Sequence, residues 1–370
     1  MPIQKNQHYV PQFYQRRFSP DKKTIGTYIL EQKKKVDTAP IKHQASKDYF
    51  YTKETAVENN VEAALAKLET MGNNVMALVD ANPRKPLDKK DSFTLYVFTL
   101  LQMGRTIAHA GMIQKTADVM AQQMLKEEIH LLQANGDDTV ADITDDILDK
   151  IQINFANLGG FSLGLQAQLI PLCIDLKQKI LINNTDMAFI SSDNPTALYN
   201  MFFERIEQVE AGIGCRGVFI YMPLSPHLAI VLYDDKVYKM GKMKQSFVEI
   251  ANKKDISELN KLIAVNSFQT IFYNPLLTNS SELTLLGKQS DYYTPKEKVQ
   301  KVEGMTSFSG NKILGVHHIG LKCKLQLSFV KILPNYAAIT PRTFDPSRDL
   351  YREIAYMKDE LIDGYFNHRK

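Results

Sequence analysis

The sequence predicts an α+β protein, in which a helical first half packs against a mainly antiparallel β-sheet supplied by the second half. Two patterns predict this class. Apolar residues recur at threes and fours from Val57 to Leu78, which is the period of an amphipathic helix. From Lys179 onward the chain changes to short β-branched or aromatic runs separated by turn residues, which are typical of strands.

The chain of 370 residues exceeds a typical single core, so either one elaborated domain or two lobes is expected. We predict four parts: an N-terminal motif and β-hairpin at 1–52 that belong to the main fold, a helical lobe at 53–160, a mainly β lobe at 161–340 and a C-terminal helix at 341–370. The weakest boundary falls near Gly159 and Gly160.

In the first half, residues 24–31 and 36–41 predict the two strands of the hairpin. The amphipathic helix ends before Asn82-Pro83, because proline disfavours helix in the residue that precedes it. A second helix begins at Asp91-Ser92 and is apolar nearly all round, so we expect it to be central. Further helices are predicted at 107–132, after a break near Gly104 or Gly111, and at 138–149 and 164–176.

In the second half, strands are predicted at 179–182, 187–190, 218–221, 228–233, 237–238, 270–273 and 325–332. A helix at 256–265 interrupts them, with Asp255 as its predicted cap.

Composition excludes several classes of protein. The 44% hydrophobic and 23% charged content is that of an ordinary folded protein. Cys173, Cys215 and Cys323 lack the CxxC spacing of a zinc or redox site, and we expect them to be reduced and buried. No signal segment and no apolar run of roughly 20 residues is present, so a cytosolic protein without a membrane partner is expected.

The formal charge of +4 is too small to identify a nucleic-acid binder, but positive charge is concentrated near the N-terminus. Up to residue 35, only Asp21 and Glu31 accompany the basic residues, which are Lys5, Arg16, Arg17, Lys22, Lys23, Lys33, Lys34 and Lys35. A basic edge there would attract phosphate through its field. The alternative is a solvated hairpin tip at residues 33–35.

The densest unexplained stretch is the opening, which reads Asn6-Gln7-His8-Tyr9-Val10-Pro11-Gln12-Phe13-Tyr14. A histidine, three aromatic residues and a proline occur there without the alternation of a strand or the spacing of an amphipathic helix. Packing alone does not account for them, and we expect a site at this segment.

The opening resembles the signature of a mostly bacterial family catalogued as domain of unknown function 4238, whose members begin with a similar HYVPQFYLRxF phrase. Further similar positions follow in the family's order: Asp48-Tyr49-Phe50-Tyr51, Glu62 and Glu69, Gln102 with Arg105-Thr106, Ser192-Asp193-Asn194-Pro195, Pro223-Leu224-Ser225-Pro226, and Leu259-Asn260. Gln15 departs from the leucine that is usual in the family. The resemblance supplies candidate positions but implies no reaction, and the cofactor stays unknown.

The standard catalytic signatures are absent from the sequence. There is no GxxxxGK[ST] phosphate loop, no GxGxxG after a strand, no HExxH and no GxSxG elbow. The histidines offer no metal-ligand spacing, so no metal site is predicted. Nucleoside triphosphate hydrolysis and nicotinamide chemistry are therefore disfavoured.

His8 leads the candidates for acid–base chemistry, because an imidazole exchanges a proton near neutral pH, although a structural histidine is the alternative. Asp193 follows an apolar strand; it either orients His8, binds a cation or builds an Asx turn before Pro195. Arg105 lies on an apolar helix, where a guanidinium is costly unless paired, so it is either a structural clamp or an anion contact. Glu62 and Glu69 either pair with Arg105, which we favour, or hold a hard cation.

The predicted catalytic set is therefore His8, Arg105 and Asp193. The predicted substrate-binding set comprises Tyr9, Arg17, Tyr51, Gln102, Asn194 and Ser225. The first hypothesis is a hydrolase that acts on a phosphodiester or nucleotide-like substrate, with a nucleic acid or nucleotide as partner. The second is a non-catalytic ligand-sensing or interaction module in a bacterial stress or phage-defence system. The third is structural: the N-terminal phrase staples the helical and sheet halves together.

Overall fold

The computed structural model describes residues 5–51, 60–205, 212–295, 299–306 and 312–333. The predicted C-terminal helix at 341–370 lies outside the described residues. The helices are α1 Gln12–Gln15, α2 Asn60–Ala81, α3 Lys89–Gly104, α4 Ile107–Ala134, α5 Asp145–Leu148, α6 Leu158–Leu169, α7 Met201–Arg205, α8 Lys253–Asn266 and α9 Ser280–Tyr293. Short 3₁₀ turns occur at Arg16–Phe18, Ile41–His43, Asp138–Val140 and Ile170–Cys173.

The strands fall into sheets and short ribbons. They are β1 Asn6–His8, β2 Thr24–Ile29, β3 Lys34–Pro40, β4 Ser46–Asp48, β5 Lys177–Asn183, β6 Ser191–Ser192, β7 Ala197–Tyr199, β8 Phe219–Ser225, β9 Leu228–Tyr233, β10 Tyr238–Met240, β11 Phe247–Ile250, β12 Thr270–Tyr273, β13 Val299–Thr306, β14 Lys312–His318 and β15 Val330–Ile332. A five-stranded sheet has the order β11-β5-β9-β8-β7, and a four-stranded sheet has the order β3-β2-β12-β6. Only the β11–β5 pair is parallel among the described strands. The predicted α+β class is confirmed.

The five-stranded sheet is buried on both faces. Along β5, Ile180 and Ile182 belong to the apolar cluster on the helical side, whereas Leu181 belongs to the cluster on the opposite side. Strand β9 alternates in the same way, with Ile230 on the helical side and Val231 on the other. Burial on both faces explains why these strands appear in the sequence as uninterrupted apolar runs.

Helix α3 is the centre of the helical layer, as its apolar sequence predicts, because most of its side chains are buried. It ends at Gly104, where a Cβ would lie 2.3 Å from the Cβ of Gln166 on α6. Glycine is needed for this close crossing. Thr106 then caps α4, since its Oγ1 accepts from the His109 amide at 3.2 Å. The predicted break near Gly104 is confirmed.

Several predicted elements differ from the structure. Residues 187–190 form no strand. The side chain of Asn260 bonds two of their backbone groups instead: its Oδ1 accepts from the Ile190 amide at 3.0 Å, and its Nδ2 donates to the Ala188 carbonyl at 2.9 Å. Helix α3 begins at Lys89, capped by Asp88, earlier than predicted. The acidic stretch 138–149 holds a 3₁₀ turn and the short α5.

The predicted ends of two later elements also shift. Helix α8 is capped by Asn252 and begins at Lys253. Asp255 instead accepts from the amide of Ser328 at 2.7 Å. Of the predicted strand 325–332, only Val330–Ile332 is a strand.

Gly159 and Gly160 mark a packing contact in the structure. They lie in the first turn of α6, and a Cβ on Gly159 would lie 2.2 Å from the carbonyl oxygen of Phe50. The N-terminal segment therefore packs directly on α6. The three cysteines are free, but Cys215 is only partly buried, contrary to expectation.

Candidate functional site

The N-terminal segment is held between the helical layer and the sheet. Strand β1 pairs antiparallel with β4, and the Tyr9 amide donates to the Ala45 carbonyl at 2.9 Å. Pro11 then occupies the N-cap position before the short α1, in which Tyr14 is fully buried. This path brings the densest stretch of the sequence against α2, α3 and the end of β8.

Three successive carbonyls of this segment accept from side chains. The Arg105 Nη2 donates to the carbonyl of His8 at 3.2 Å, and the Gln102 Nε2 donates to that of Tyr9 at 2.9 Å. The Gln15 Nε2 donates to the carbonyl of Val10 at 2.8 Å. Because Tyr9 and Val10 lie outside a sheet ladder, Gln102 and Gln15 satisfy buried backbone acceptors that would otherwise be costly.

Arg105 is the most deeply buried charge of the segment's surroundings, with 1% of its surface exposed. Its Nη2 forms an ion pair with Glu69 on α2 at 2.6 Å, which confirms the predicted interhelical pair. The Arg105 carbonyl accepts from the hydroxyl of Tyr51 at 3.0 Å. Its Nη1 is buried and has no hydrogen-bond partner among the described residues.

His8 lies beside this guanidinium and is half-buried, with its Nε2 shielded from solvent. That Nε2 also has no partner in the described part of the chain. Burial lowers the pKa of His8, while the Glu69 carboxylate and the carbonyls of Lys42 and Ile41 act in the opposite direction. The imidazole is therefore mostly neutral at pH 7.

We refer to His8, Tyr9, Tyr51, Glu69, Gln102 and Arg105 as the N-terminal cluster. Burial raises the pKa of Tyr9, and the nearby charge of Asp193 raises it further, so the Tyr9 hydroxyl stays protonated. Gln102 is fully buried, and its Oε1 has no partner among the described residues. The cluster therefore contains three buried polar atoms that have no hydrogen-bond partner among the described residues: Gln102 Oε1, Arg105 Nη1 and His8 Nε2.

Asp193 has a different setting. Its carboxylate accepts from the amides of Phe268, Gln269 and Thr270 at 2.9, 2.8 and 3.1 Å. Only 3% of the residue is exposed, and this burial raises its pKa to about 6, although the three amides oppose the shift. Both oxygens thus hold the loop after α8, and no Asx turn before Pro195 is formed by them.

Asn194 connects the strand exit with the helices. Its Oδ1 accepts from Thr106 at 3.1 Å, and its Nδ2 donates to the Asn266 carbonyl at 2.9 Å. Asn266 returns a bond to the Asn194 carbonyl at 2.7 Å. Asn194 is therefore tied to both the start of α4 and the end of α8.

Arg17 and Ser225 lie at a separate contact. The Arg17 Nε donates to the Leu224 carbonyl at 2.5 Å, and its Nη2 pairs with Asp80 at 2.7 Å. The Ser225 Oγ accepts from the His227 amide at 3.3 Å. Five of the predicted site residues therefore lie together: His8, Tyr9, Tyr51, Gln102 and Arg105. Asp193 and Asn194 lie beside them. Arg17 and Ser225 lie apart from this group, at the end of β8.

Two residues of this region were not in the predicted site. Thr106 links α4 to Asn194, and the Tyr14 hydroxyl donates to the Pro223 carbonyl at 2.7 Å. The Arg105-Thr106 pair could have indicated Thr106, because threonine at a helix break is a frequent cap. No local signal indicates the partner of Tyr14, which lies 209 positions further along the chain.

Within the described residues, no group of three or more His, Cys, Asp or Glu side chains could hold a metal ion. A cleft of about 70 Å³ lies between the end of α2, the start of α3 and β5, and it shares no lining residue with the N-terminal cluster. In the described part of the chain, no helix is both long enough and apolar enough to cross a bilayer.

The fold and the cluster define an α+β protein whose N-terminal segment is held in place by hydrogen bonds from buried polar side chains. The family model for a protein of unknown function, DUF4238, matches residues 6–276, and the chain belongs to that family. Comparisons with curated proteins and with solved structures found no match.

Proposed function

We propose that this protein is a ligand-sensing module that binds a phosphate-bearing small molecule, such as a nucleotide, at the N-terminal cluster. The observation that supports the proposal is the incomplete hydrogen bonding of the buried Arg105 guanidinium. Its Nη2 is engaged by Glu69 and the His8 carbonyl, while its Nη1 is buried without a partner among the described residues.

The Arg105 Nη1, which has no hydrogen-bond partner among the described residues, is energetically unfavourable. A buried polar group without a partner costs about 1–3 kcal/mol, and more when it is charged. A guanidinium presents its donors in a rigid planar fork that matches phosphate oxygens. Glu69 fixes one side of the fork, so the other side is oriented before any ligand arrives.

His8 adds a second group, whose ring interacts with the carbonyls of Lys42 and Ile41 but retains one buried nitrogen without a described partner. The bonds from Arg105 and Gln102 go to backbone carbonyls, which any residue at positions 8 and 9 would offer. The imidazole Nε2 is left without a described partner. A ligand that accepts from Arg105 and meets His8 would account for both side chains.

Burial favours sensing over rapid turnover. Arg105 and Tyr51 are each 1% exposed, so a ligand reaches the guanidinium only when the N-terminal segment moves. Binding would thereby be coupled to a change in this segment, as a sensor requires. We place the module in the bacterial cytosol, in a stress or phage-defence system.

One observation favours a hydrolase as the second candidate. The lowered pKa of His8 leaves a neutral imidazole near pH 7, which is the form that a general base needs. In that case Arg105 would stabilise charge on a phosphodiester, while Asp193 would act only through its field, since its oxygens hold backbone amides.

The binding test uses inorganic phosphate, AMP and ATP with the purified protein. A ligand at one hundred times its Kd stabilises the folded state by about 2.7 kcal/mol, which thermal denaturation detects. Arg105→Lys keeps the charge but removes the fork, and we expect at least tenfold weaker binding. Arg84→Lys is the matched control, because Arg84 forms an exposed pair with Glu249. No stabilisation of the wild type, or equal binding by Arg105→Lys, would refute the proposal.

The turnover test separates the two candidates. Wild-type protein is incubated with mixed RNA, DNA and nucleotides, with and without divalent cations. A sensor gives no product, whereas a hydrolase gives product that His8→Gln abolishes and His43→Gln retains. His43 is the matched control, because it is exposed in the 3₁₀ turn Ile41–His43, whose Ile41 and Lys42 carbonyls lie at the His8 ring.

A further inference from the structure

A two-stranded ribbon far along the chain carries an unusual charge arrangement. Strands β10 and β15 pair antiparallel, with Lys239 directly opposite Lys331. The neighbours of Lys239, Tyr238 and Met240, are buried, so both lysines are on the exposed face of the ribbon. Like charges directly opposite each other destabilise a strand pair.

Three more exposed lysines adjoin the ribbon: Lys236 before β10, and Lys242 and Lys244 in the loop after it. None of the five has an ion pair with a carboxylate among the described residues. We refer to Lys236, Lys239, Lys242, Lys244 and Lys331 as the lysine ribbon.

The basic residues near the N-terminus behave differently. Lys33 pairs with Asp291 at 2.6 Å, and Lys35 pairs with Asp37 at 3.1 Å. The hairpin tip that the sequence marks as a basic edge is therefore partly neutralised. Among the described residues, the basic surface without carboxylate partners lies instead at the lysine ribbon, four of whose lysines occur within residues 236–244.

The loop of the ribbon is fixed to the sheet. Lys179 on β5 is almost fully buried, and its Nζ donates to the carbonyl of Lys242 at 2.7 Å. This bond holds the chain that carries Lys242 and Lys244 against the edge of the sheet. The lysines of the loop are thereby presented from an anchored backbone.

We propose that the lysine ribbon binds the phosphodiester backbone of a nucleic acid. Lysines that have no carboxylate partner among the described residues, carried on an anchored ribbon and its loop, would neutralise phosphates without reading the bases, and binding would relieve the repulsion between Lys239 and Lys331. This inference stands apart from the ligand site at the N-terminal cluster, because the two surfaces share no residue.

An anionic membrane is the less suitable partner. Met243, which is 93% exposed, is the one large apolar side chain of the loop between Lys242 and Lys244. Even a complete myristoyl chain gives only marginal membrane binding, so one methionine is insufficient beside the charges. Phosphate contacts need no apolar component.

The test measures binding of a fluorescent duplex DNA and of a single-stranded RNA by anisotropy over a series of salt concentrations. Five phosphate contacts predict that log K falls with log salt at a slope of about −4.5 on duplex DNA. The double variant Lys239→Gln, Lys331→Gln should reduce the steepness by about 2 and weaken binding at low salt at least tenfold. Removing the opposed charges should not destabilise the fold, which circular dichroism checks.

The matched control is Lys33→Gln, Lys35→Gln, which removes the same charge from positions that have carboxylate partners. It should leave the salt slope and the affinity nearly unchanged. Equal losses in both double variants, or no binding of either nucleic acid by the wild type at low salt, would overturn the inference. Binding to phosphatidylserine vesicles without binding to nucleic acid would also overturn it, in favour of a membrane surface.

Discussion

The hydroxyl of Tyr14 offers the sharpest test of how the N-terminal segment joins the sheet. Tyr14 is fully buried, and its hydroxyl donates to the Pro223 carbonyl at 2.7 Å. A phenol has one proton, so the contact with the Ser191 Oγ at 2.8 Å is donated by the serine. Pro223 lies where the β8–β9 register shifts, and Tyr14 therefore supports an irregular point of the sheet.

The change to make is Tyr14→Phe, which removes the hydroxyl and little else. A net hydrogen bond contributes about 1 kcal/mol, and a buried partner left unsatisfied costs about 1–3 kcal/mol. With one carbonyl and one serine hydroxyl left behind, we expect the free energy of unfolding to fall by about 2–4 kcal/mol. Burial raises the pKa of Tyr14, so ionisation does not complicate the comparison.

The measurement is urea denaturation followed by far-UV circular dichroism, because the chain contains no tryptophan. Tyr292→Phe is the matched control, since Tyr292 is 78% exposed and should change the free energy of unfolding by less than about 0.5 kcal/mol. If Tyr14→Phe were as stable as this control, the N-terminal segment would not be fastened to the sheet through its hydroxyl.

Four further substitutions test packing and electrostatics. Gly159→Ala should lower the free energy of unfolding by about 1–3 kcal/mol or more, because the added Cβ would meet the Phe50 carbonyl oxygen. Gly111→Ala should raise it by about 0.5–1 kcal/mol, because Gly111 occupies an open helical position. The midpoints of denaturant unfolding measure both changes. The raised pKa of Asp193, about 6, makes the wild type lose up to about 3 kcal/mol between pH 4 and pH 7, and Asp193→Asn should remove that loss from the stability profile. His109 should affect the pH dependence of stability in the opposite direction. Burial lowers its pKa to about 4, so the stability that its neutral form contributes is lost as the pH falls from 6.5 to 4. His109→Gln should abolish that loss of stability. Stability profiles of each variant subtracted from that of the wild type separate the two effects, and a flat difference would contradict the assignment.

Local patterns predict the regular elements well where one face or both faces are buried. The period of α2, the all-round apolar sequence of α3 and the short runs of β5 and β9 each correspond to an observed element. Two of the failures have partners that are distant in sequence, whereas the starts of α3 and α8 were misplaced because a neighbouring residue supplies the cap. Ala188 and Ile190 bond to Asn260, which is 72 and 70 positions away, and the predicted cap Asp255 accepts from Ser328.

The candidate site shows the same division. Arg105 could be singled out from sequence, because a guanidinium on an apolar helix must be paired, and Glu69 is on the neighbouring helix. The surroundings of Asp193 could not, because its three partners are backbone amides that have no residue-specific signature. A sequence pattern can indicate which polar side chains are buried, but it does not indicate which of their atoms lack a hydrogen-bond partner.

The N-terminal segment combines a structural role, carried by its backbone carbonyls, with a proposed binding role, carried by the His8 side chain. Its backbone carbonyls at residues 8, 9 and 10 are fastened by Arg105, Gln102 and Gln15, as the structural hypothesis requires. These bonds would be kept by any side chains at residues 8 and 9, so they do not explain the imidazole. The stapling role therefore accounts for the bonds from Arg105, Gln102 and Gln15, and the His8 Nε2, which has no partner in the described part of the chain, is the atom that a bound ligand would satisfy.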